Sequence, residues 1–381
     1  MRAVIFLAVA LLIFVPFNLI TYRQLVRIHP SRRRWILGAV VVGNLMWPFF
    51  PFLRTFNPFT RVARALLGPV WFGWTSFAIL YSVLMFLVLL AWLPVMRRFT
   101  FAQVGRWPSR VFLVLMAVGG VVGFYQALVP LRVEAVRVPI AGLPPQLEGK
   151  RLVLMGDLHV GLFTRRSRLD QIFSTADALR PDAVLIAGDL IDDDPSFVPK
   201  LLEGTRTLSP EIPLFAVLGN HEMYGDPFSV IRQMRGSRIR LLVNEGVSLD
   251  GLWLAGTADI GAQQLGPTGR HLLPDLAKAL AARPANAPAV LLSHQPRIFT
   301  EAQERHVPLT LSAHTHGGQC GFRPWRWSLA GMFLPYHMGL YQKGLSWLYI
   351  NTGTGYWLFP FRLGMTPEIT VVELRRHPTA G

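Results

Sequence analysis

RLVLMGDLHV, residues 151–160, is a short apolar run that passes without a break into Gly156-Asp157-Leu158-His159. A run of this length, rich in Leu and Val and closed by glycine, reads as a strand buried on both faces. The same construction recurs four times. AVLIA (183–187) runs into Gly188-Asp189-Leu190-Ile191-Asp192, and PLFAVL (213–218) into Gly219-Asn220-His221-Glu222. AVLLS (289–293) runs into His294-Gln295-Pro296, and LTLS (309–312) into Ala313-His314-Thr315-His316-Gly317-Gly318-Gln319. LWLAG (252–256), LYIN (348–351) and ITVVEL (369–374) are further strands. Stretches near 165–180, 196–208, 226–236, 271–282 and 296–305 carry helical patterning between them, so the fold class is α/β with largely buried sheets. Five polar clusters therefore follow five apolar strands. In such sheets ligands bind at the carboxyl ends of the strands.

The chemistry of the clusters is coherent. Asp157 and His159 are two residues apart, as are His314 and His316, and in extended backbone such pairs project to one face. Carboxylates, imidazoles and an Asn carbonyl make a mixed oxygen/nitrogen donor set suited to Mn, Fe or Zn rather than to Ca or Cu(I). Glycines beside them let the backbone turn sharply. Singly, each residue has an ordinary reading: an Asp after Gly caps a helix or closes a turn, and His294 before Gln-Pro is a turn residue. Independent caps would not supply a full set of donors at the same position after five strands. His271, His306, His337 and His377 lack such a setting. Asp192, Asp193 and Asp194 form an acidic run in which Asp192 either orients a ligand from behind or belongs to a solvated face.

The first third of the chain differs. The protein has 381 residues, 51% hydrophobic, with a mean hydropathy of +0.36, too apolar for an ordinary soluble domain. Residues 1–131 contain no Asp or Glu. Four apolar stretches, at about 3–22, 35–53, 69–95 and 111–131, approach the roughly 20 residues that a membrane helix needs. Tryptophans 35, 47, 71, 74 and 92 lie near some of their ends, as interface anchors do. The expected organisation is a transmembrane region of about four helices at 1–132, a strand-containing linker at 133–150, a catalytic domain at 151–376 and a tail at 377–381.

The formal charge of +16 is not that of a nucleic-acid binder. Residues 1–150 hold 16 Lys/Arg against 2 Asp/Glu, and residues 151–381 hold 22 against 20. The excess belongs to the loops between apolar stretches, where a positive-inside bias and anionic lipid account for it and nucleic acid does not. Nine arginines after the first and third stretches against six on the other side place the former in the cytoplasm. The expectation is a multi-pass protein of the cell membrane with its large C-terminal domain outside the cytoplasm. The single cysteine, Cys320, excludes an intrachain disulfide.

The ordered blocks GD-x-H, GD-x-x-D, GNHE, SH and HTH resemble the calcineurin-like metallophosphoesterase family, over about residues 148–376. The extended HTHGGQ and the tail LYINTGTGYWLFPFRLGMTPEITVVEL resemble its membrane-linked, YkuE-type branch. The resemblance implies an αββα sandwich and two divalent metal ions. It implies that Asp157, His159 and His316 hold one metal, that Asn220, His294 and His314 hold the other, and that Asp189 bridges them. It implies that a metal-bound hydroxide attacks phosphorus and that His221 faces the scissile phosphate as acid or electrostatic support. One departure is visible: the family usually has Gly before the first His of the last block, and here Ala313 stands there.

The stretch CGFRPWRWSLAGMFLPYHMGLYQKGLSW, from Cys320 onward, is rich in Trp, Phe and Arg. It reads either as a loop covering the core or as an interfacial lip whose Arg323 or Arg326 meets phosphate. A phosphoester substrate, lipid-linked or close to the membrane, is therefore expected, with a UDP-diacylglucosamine-type pyrophosphatase of lipid A synthesis as an alternative by family analogy. A non-catalytic membrane scaffold on the same fold is the other alternative, and the completeness of the donor set argues against it. Transport is disfavoured, because the centres of the apolar stretches carry no Asp, Glu, Lys or His.

Overall fold

A computed structural model describes residues 2–45, 58–129 and 131–377. It divides into two units, Met1–Val122 and Gly123–Gly381. In the second, strand formation follows the apolar runs. The strands in chain order are β1 (Arg132–Ile140), β2 (Arg151–Met155), β3 (Ala183–Ala187), β4 (Leu214–Val217), β5 (Ile239–Leu241), β6 (Glu245–Leu249) and β7 (Leu252–Gly256). They continue as β8 (Ala289–Leu292), β9 (Leu309–Ser312), β10 (Gly321–Phe322), β11 (Trp327–Ser328), β12 (Gly339–Lys343), β13 (Ser346–Ile350) and β14 (Glu368–Arg376).

Two six-stranded mixed sheets result, ordered β1-β14-β2-β3-β4-β5 and β12-β13-β9-β8-β7-β6. Strands β2, β3, β4 and β5 run parallel, as do β7, β8, β9 and β13. Strand β1 lies parallel to β14 over nine residue pairs, from Arg132↔Glu368 to Ile140↔Arg376. The first half of the 133–150 stretch is thus an edge strand of the first sheet, because Val138 and Ile140 bury completely there.

Alternation along the strands builds the layers. Leu152, Leu154, Leu185, Phe215 and Val217 of the first sheet share one core with Leu254, Val290, Leu292, Leu309 and Leu311 of the second. The intervening Val153, Met155, Val184 and Ile186 face outward onto helices. Helix Arg166–Ala178 answers with Leu169, Ile172, Phe173 and Ala176, all buried, the three-to-four spacing of one helix face. On the outer face of the second sheet, Trp253, Ala255 and Leu291 meet Leu276, Ala279 and Ala302 of helices Leu276–Leu280 and Phe299–Glu304. This is the αββα architecture expected, and both faces of the central strands are dry, as their unbroken apolar runs require.

In the first unit the helices are Arg2–Ile28, Arg33–Gly43 and Pro58–Trp92, with the start of Phe101–Leu128. Interhelical hydrogen bonds include Thr21 Oγ1 to Ala78 O (3.1 Å), Trp74 Nε1 to Asn18 Oδ1 (2.6 Å) and Tyr81 OH with Ser109 Oγ (2.9 Å). Among the described residues, two helices are long and apolar enough to cross a membrane, Leu66–Val95 and Phe101–Leu128. They correspond to the third and fourth apolar stretches. The expected four-helix region is not reproduced as four such helices among the described residues. The second stretch forms an 11-residue helix, Arg33–Gly43, about 16 Å long at 1.5 Å per residue, and residues 46–53 of it lie outside the described ones. The last helix begins ten residues before the expected 111, because Thr100 and Gln103 cap it reciprocally: Gln103 N donates to Thr100 Oγ1 (3.3 Å) and Thr100 N to Gln103 Oε1 (2.7 Å).

Candidate metal centre

All eight residues singled out as site residues lie at the carboxyl ends of five strands: Asp157 and His159 after β2, Asp189 after β3, Asn220 and His221 after β4, His294 after β8, His314 and His316 after β9. The structure brings them together. Asp157, His159, Asp189 and His316 form one group, and Asp189, His294 and His314 a second, each with ligand atoms within 4.8 Å of one another. Asp189 belongs to both. Its Oδ2 is 3.2 Å from His294 Nε2 and 3.5 Å from His159 Nε2. His294 Nε2 lies 2.9 Å from Asn220 Oδ1 and 3.1 Å from His314 Nδ1, while His159 Nε2 and His316 Nε2 are 3.0 Å apart.

The backbone is bent to achieve this. Asp157, His159, Asp189, His314 and His316 all have positive φ, between 44° and 73°. This left-handed region is uncommon for residues with a side chain and costs about 1–3 kcal/mol at each position. The adjoining glycines matter mainly for clearance. A Cβ on Gly219 would lie 2.1 Å from Asp189 Oδ1. A Cβ on Gly156 would lie 2.4 Å from the methyl of Ala313, so Gly156 leaves the room that the Ala313 departure needs.

Cation binding fits these residues. Asp157 Oδ2 and His159 Nδ1 are buried without a hydrogen-bond partner, and such orphaned groups call for an ion or water. Burial pushes the Asp157 carboxyl up to about 7, against the opposing charge of His294. Burial also raises Asp189, but His294 and His221 outweigh it and hold that carboxyl well below the usual range. Burial lowers His294 and His221, yet the Asp189 carboxylate reverses the sign and brings each to about 10. Burial keeps His159 and His316 well below the ordinary imidazole value and His314 at about 3, so these three offer lone pairs at neutral pH. A cation seated on Asp189 and His294 would displace the His294 proton.

His221 belongs to neither of these two groups but forms a third with His159 and Asp192. Its backbone N donates to Asp189 Oδ1 (2.9 Å), its ring stands edge-on to His159 with centroids 4.5 Å apart, and its Nδ1 is 2.6 Å from Asp193 Oδ1. Of the acidic run it is Asp193 that makes the short contact, with Asp192 Oδ1 3.8 Å from His221 Nδ1 and 3.9 Å from His159 Nδ1. Tyr224 and Trp357 flank the ring, at centroid distances of 5.2 and 6.4 Å.

Three supporting residues were not legible as such. Glu222, fully buried, accepts from Ile191 N (3.0 Å) through Oε1 and from Gly219 N (2.7 Å) through Oε2, tying the β3 loop to the β4 loop. Its place in GNHE was the only signal. Arg362, also fully buried, donates to Gly355 O (2.8 Å), Thr352 O (2.8 Å) and Met365 O (3.1 Å), and its Nη2 lies 3.3 Å from His316 Nδ1. Glu368 accepts from Tyr349 OH (2.9 Å), Thr352 Oγ1 (2.9 Å) and Arg323 (2.6 Å). The last bond corrects one expectation: Arg323 answers a buried carboxylate rather than meeting phosphate. Arg326 lies 5.0 Å over the Tyr341 ring and donates to Met338 O (3.1 Å).

Glu222→Gln would turn one of two acceptors into a donor facing a backbone N–H, a loss of about 1–3 kcal/mol. The expected outcome is a lowered midpoint in thermal unfolding of the chelator-treated protein. An unchanged midpoint would show that Glu222 does not hold the two loops.

The profile of the calcineurin-like phosphoesterase family matches residues 150–318. A transmembrane protein with metallophosphoesterase domain from Danio rerio is 34% identical over 275 residues, 69% of this chain and 62% of that protein. A metallophosphoesterase of Helicobacter pylori is 31% identical over 254 residues, 66% of each. The metallophosphoesterase YkuE of Bacillus subtilis is 25% identical over 269 residues, 68% of this chain and 92% of that protein. The chain spans about 62% of the length of the vertebrate relatives. With five strand-end blocks converging on one cluster of carboxylates and imidazoles, residues 150–318 carry a calcineurin-like phosphoesterase domain, of a family of metal-dependent phosphoester hydrolases that generally bind two divalent metals.

Proposed function

We propose that this protein is a membrane-anchored phosphohydrolase that cleaves a phosphate ester or pyrophosphate bond in a membrane-proximal, lipid-linked substrate. The observation that carries the reading is the pair of donor groups sharing Asp189. In this reading Asp157, His159 and His316 hold one divalent cation, Asn220, His294 and His314 hold the other, and Asp189 bridges them. When bound, the two cations supply an activated nucleophile and neutralise charge on the phosphoryl group. The membrane part of the proposal draws on the two long apolar helices and on relatives named as transmembrane proteins.

The chain's own residues do the rest. The Asp189 carboxylate accepts the His221 backbone N–H (2.9 Å) and so sets the ring's distance from the donors. Asp193 takes up Nδ1 of His221, which leaves Nε2 to carry the transferable proton. The Asp193 carboxylate, 2.6 Å from Nδ1, favours the charged form of His221, the form suited to protonate or stabilise a leaving oxygen. Tyr224 and Trp357 flank the ring on which the leaving group would rest, at centroid distances of 5.2 and 6.4 Å.

The test is hydrolysis of a chromogenic phosphodiester by the detergent-purified protein, stripped with chelator and resupplied with Mn. Turnover is expected only with metal. Asp189→Asn should lower bound metal from two ions per chain to one or none. His221→Ala should keep both ions and lose turnover by about 10²–10⁴-fold. Retained double loading in the first variant, or metal loss in the second, would overturn the assigned roles.

A pH profile adds a signed test. Removing the Asp193 charge removes an interaction that raises the His221 pKa. The alkaline limb of turnover in Asp193→Asn should therefore move to lower pH than in the parent protein. A limb that stays in place, or moves up, would separate His221 from the proton transfer.

A further inference from the structure

We infer that the segment after the last metal loop, together with the end of the last long helix, is a bilayer-docking surface that sets the mouth of the metal centre against lipid headgroups. The inference rests on the membrane-anchored reading above and names the surface that would serve it.

The segment is built, not loose. Strands β10 and β11 pair as a hairpin, Gly321↔Ser328 and Phe322↔Trp327. Leu329 N donates to Cys320 O (2.8 Å), and Ser328 Oγ is 2.9 Å from His337 Nδ1. It packs directly on the turn that carries His316: a Cβ on Gly318 would lie 2.5 Å from Ala330 N, and Thr315 Oγ1 donates to His337 O (2.8 Å). Yet this ordered platform turns its large apolar groups outward. Trp325 is 81% exposed, Phe333 78%, Met332 64% and Trp327 49%. A cluster of this kind on a fixed scaffold marks an interaction surface. Residues 320–336 contain no carboxylate, so no charge of the segment repels anionic headgroups; Arg323 is engaged by Glu368 and Arg326 lies on the Tyr341 ring.

Continuity with a candidate span selects the occupant. Residues Gly123–Leu128 end the helix Phe101–Leu128, one of the two long apolar helices. Within the second unit, those residues are anchored on the loop 359–364. Arg362 N donates to Gly123 O (2.9 Å) and Gly364 N to Gln126 Oε1 (2.6 Å), and the Phe124 ring is 5.8 Å from Phe359 and 6.3 Å from Phe361. The same loop pairs with the start of the segment: Gly321 N donates to Leu363 O (2.9 Å) and Leu363 N to Gln319 O (2.8 Å). Tyr125 and Leu128 are 70% and 62% exposed on this helix end. Exposed apolar groups therefore stand both at the end of a candidate membrane helix and on the segment beside the His316 turn, and the loop 359–364 is hydrogen-bonded to both. Trp, Phe and Tyr are groups that settle at headgroup depth.

The test uses the full chain in phosphatidylcholine/phosphatidylglycerol vesicles, with Cys320→Ser as background. Spin labels go on Trp325→Cys, Phe333→Cys and, as control, Leu345→Cys, 66% exposed in the turn between β12 and β13 at the opposite end of the strands. Relative collision with oxygen over a water-soluble nickel chelate should be about tenfold higher at 325 and 333 than at 345. Equal water access at all three positions, or shielding that follows protein concentration, overturns the inference, the latter in favour of a second copy. In the double variant Trp325→Asp/Phe333→Asp, turnover of a long-chain phosphodiester embedded in vesicles should fall about tenfold while a soluble chromogenic diester is cleaved as before. Equal loss on both substrates, or no loss on either, also overturns it. Absence of any turnover in the parent protein would count against the proposed activity and leaves the label positions to decide docking.

Discussion

A carboxylate at the bottom of a dry site is the constraint around which this molecule is arranged. Asp189 is 2% exposed, and an isolated carboxylate so placed would be costly. Imidazoles of His294 and His159 come to 3.2 and 3.5 Å of its Oδ2, while the His221 N–H satisfies Oδ1. Its charge decides the protonation of its neighbours, lifting His294 and His221 while burial empties His159, His314 and His316 of protons. Divalent cations bound at this cluster would exchange for its protons, the ordinary linkage of such sites.

Holding five donor residues in left-handed backbone needs support from elsewhere. The two sheets bury an unbroken core between them, and the loops bearing the donors leave the ends of its most buried strands. Glu222 then ties two of those loops together, and Arg362 ties the C-terminal loop to the back of His316. These are hydrogen bonds of fully buried groups, where a satisfied network rigidifies and an unsatisfied one is costly. Arg362 stays cationic at pH 7, since burial brings it only to about 9.

Within the second unit, the C-terminal loop also holds the end of helix Phe101–Leu128. Residues 359–364 take hydrogen bonds or ring contacts from Gly123, Phe124 and Gln126 on one side and pair with Gln319 and Gly321 on the other. The order of these elements along the chain gives no hint of it, for 235 or more residues separate the partners.

By itself the sequence determined the layers and the list of candidate donors. Continuous apolar runs such as AVLIA can be buried only on both faces, and a polar cluster directly after such a run must fall at a strand end. The strands Arg151–Met155, Ala183–Ala187, Leu252–Gly256 and Leu309–Ser312 follow those runs residue for residue. What the sequence did not carry was distance. The choice of Asp193 over Asp192 beside His221 depends on loop geometry after β3. The roles of Glu222, Arg362 and Glu368 depend on partners brought together by strand pairing, and Arg323 was misread because Glu368 lies 45 residues away in sequence. Of the four expected membrane helices, two long apolar ones stand among the described residues: hydropathy records composition, whereas the length of helix Arg33–Gly43 is set by where the backbone stops hydrogen-bonding to itself. Local patterning specifies what a segment buries; only the tertiary structure specifies against what.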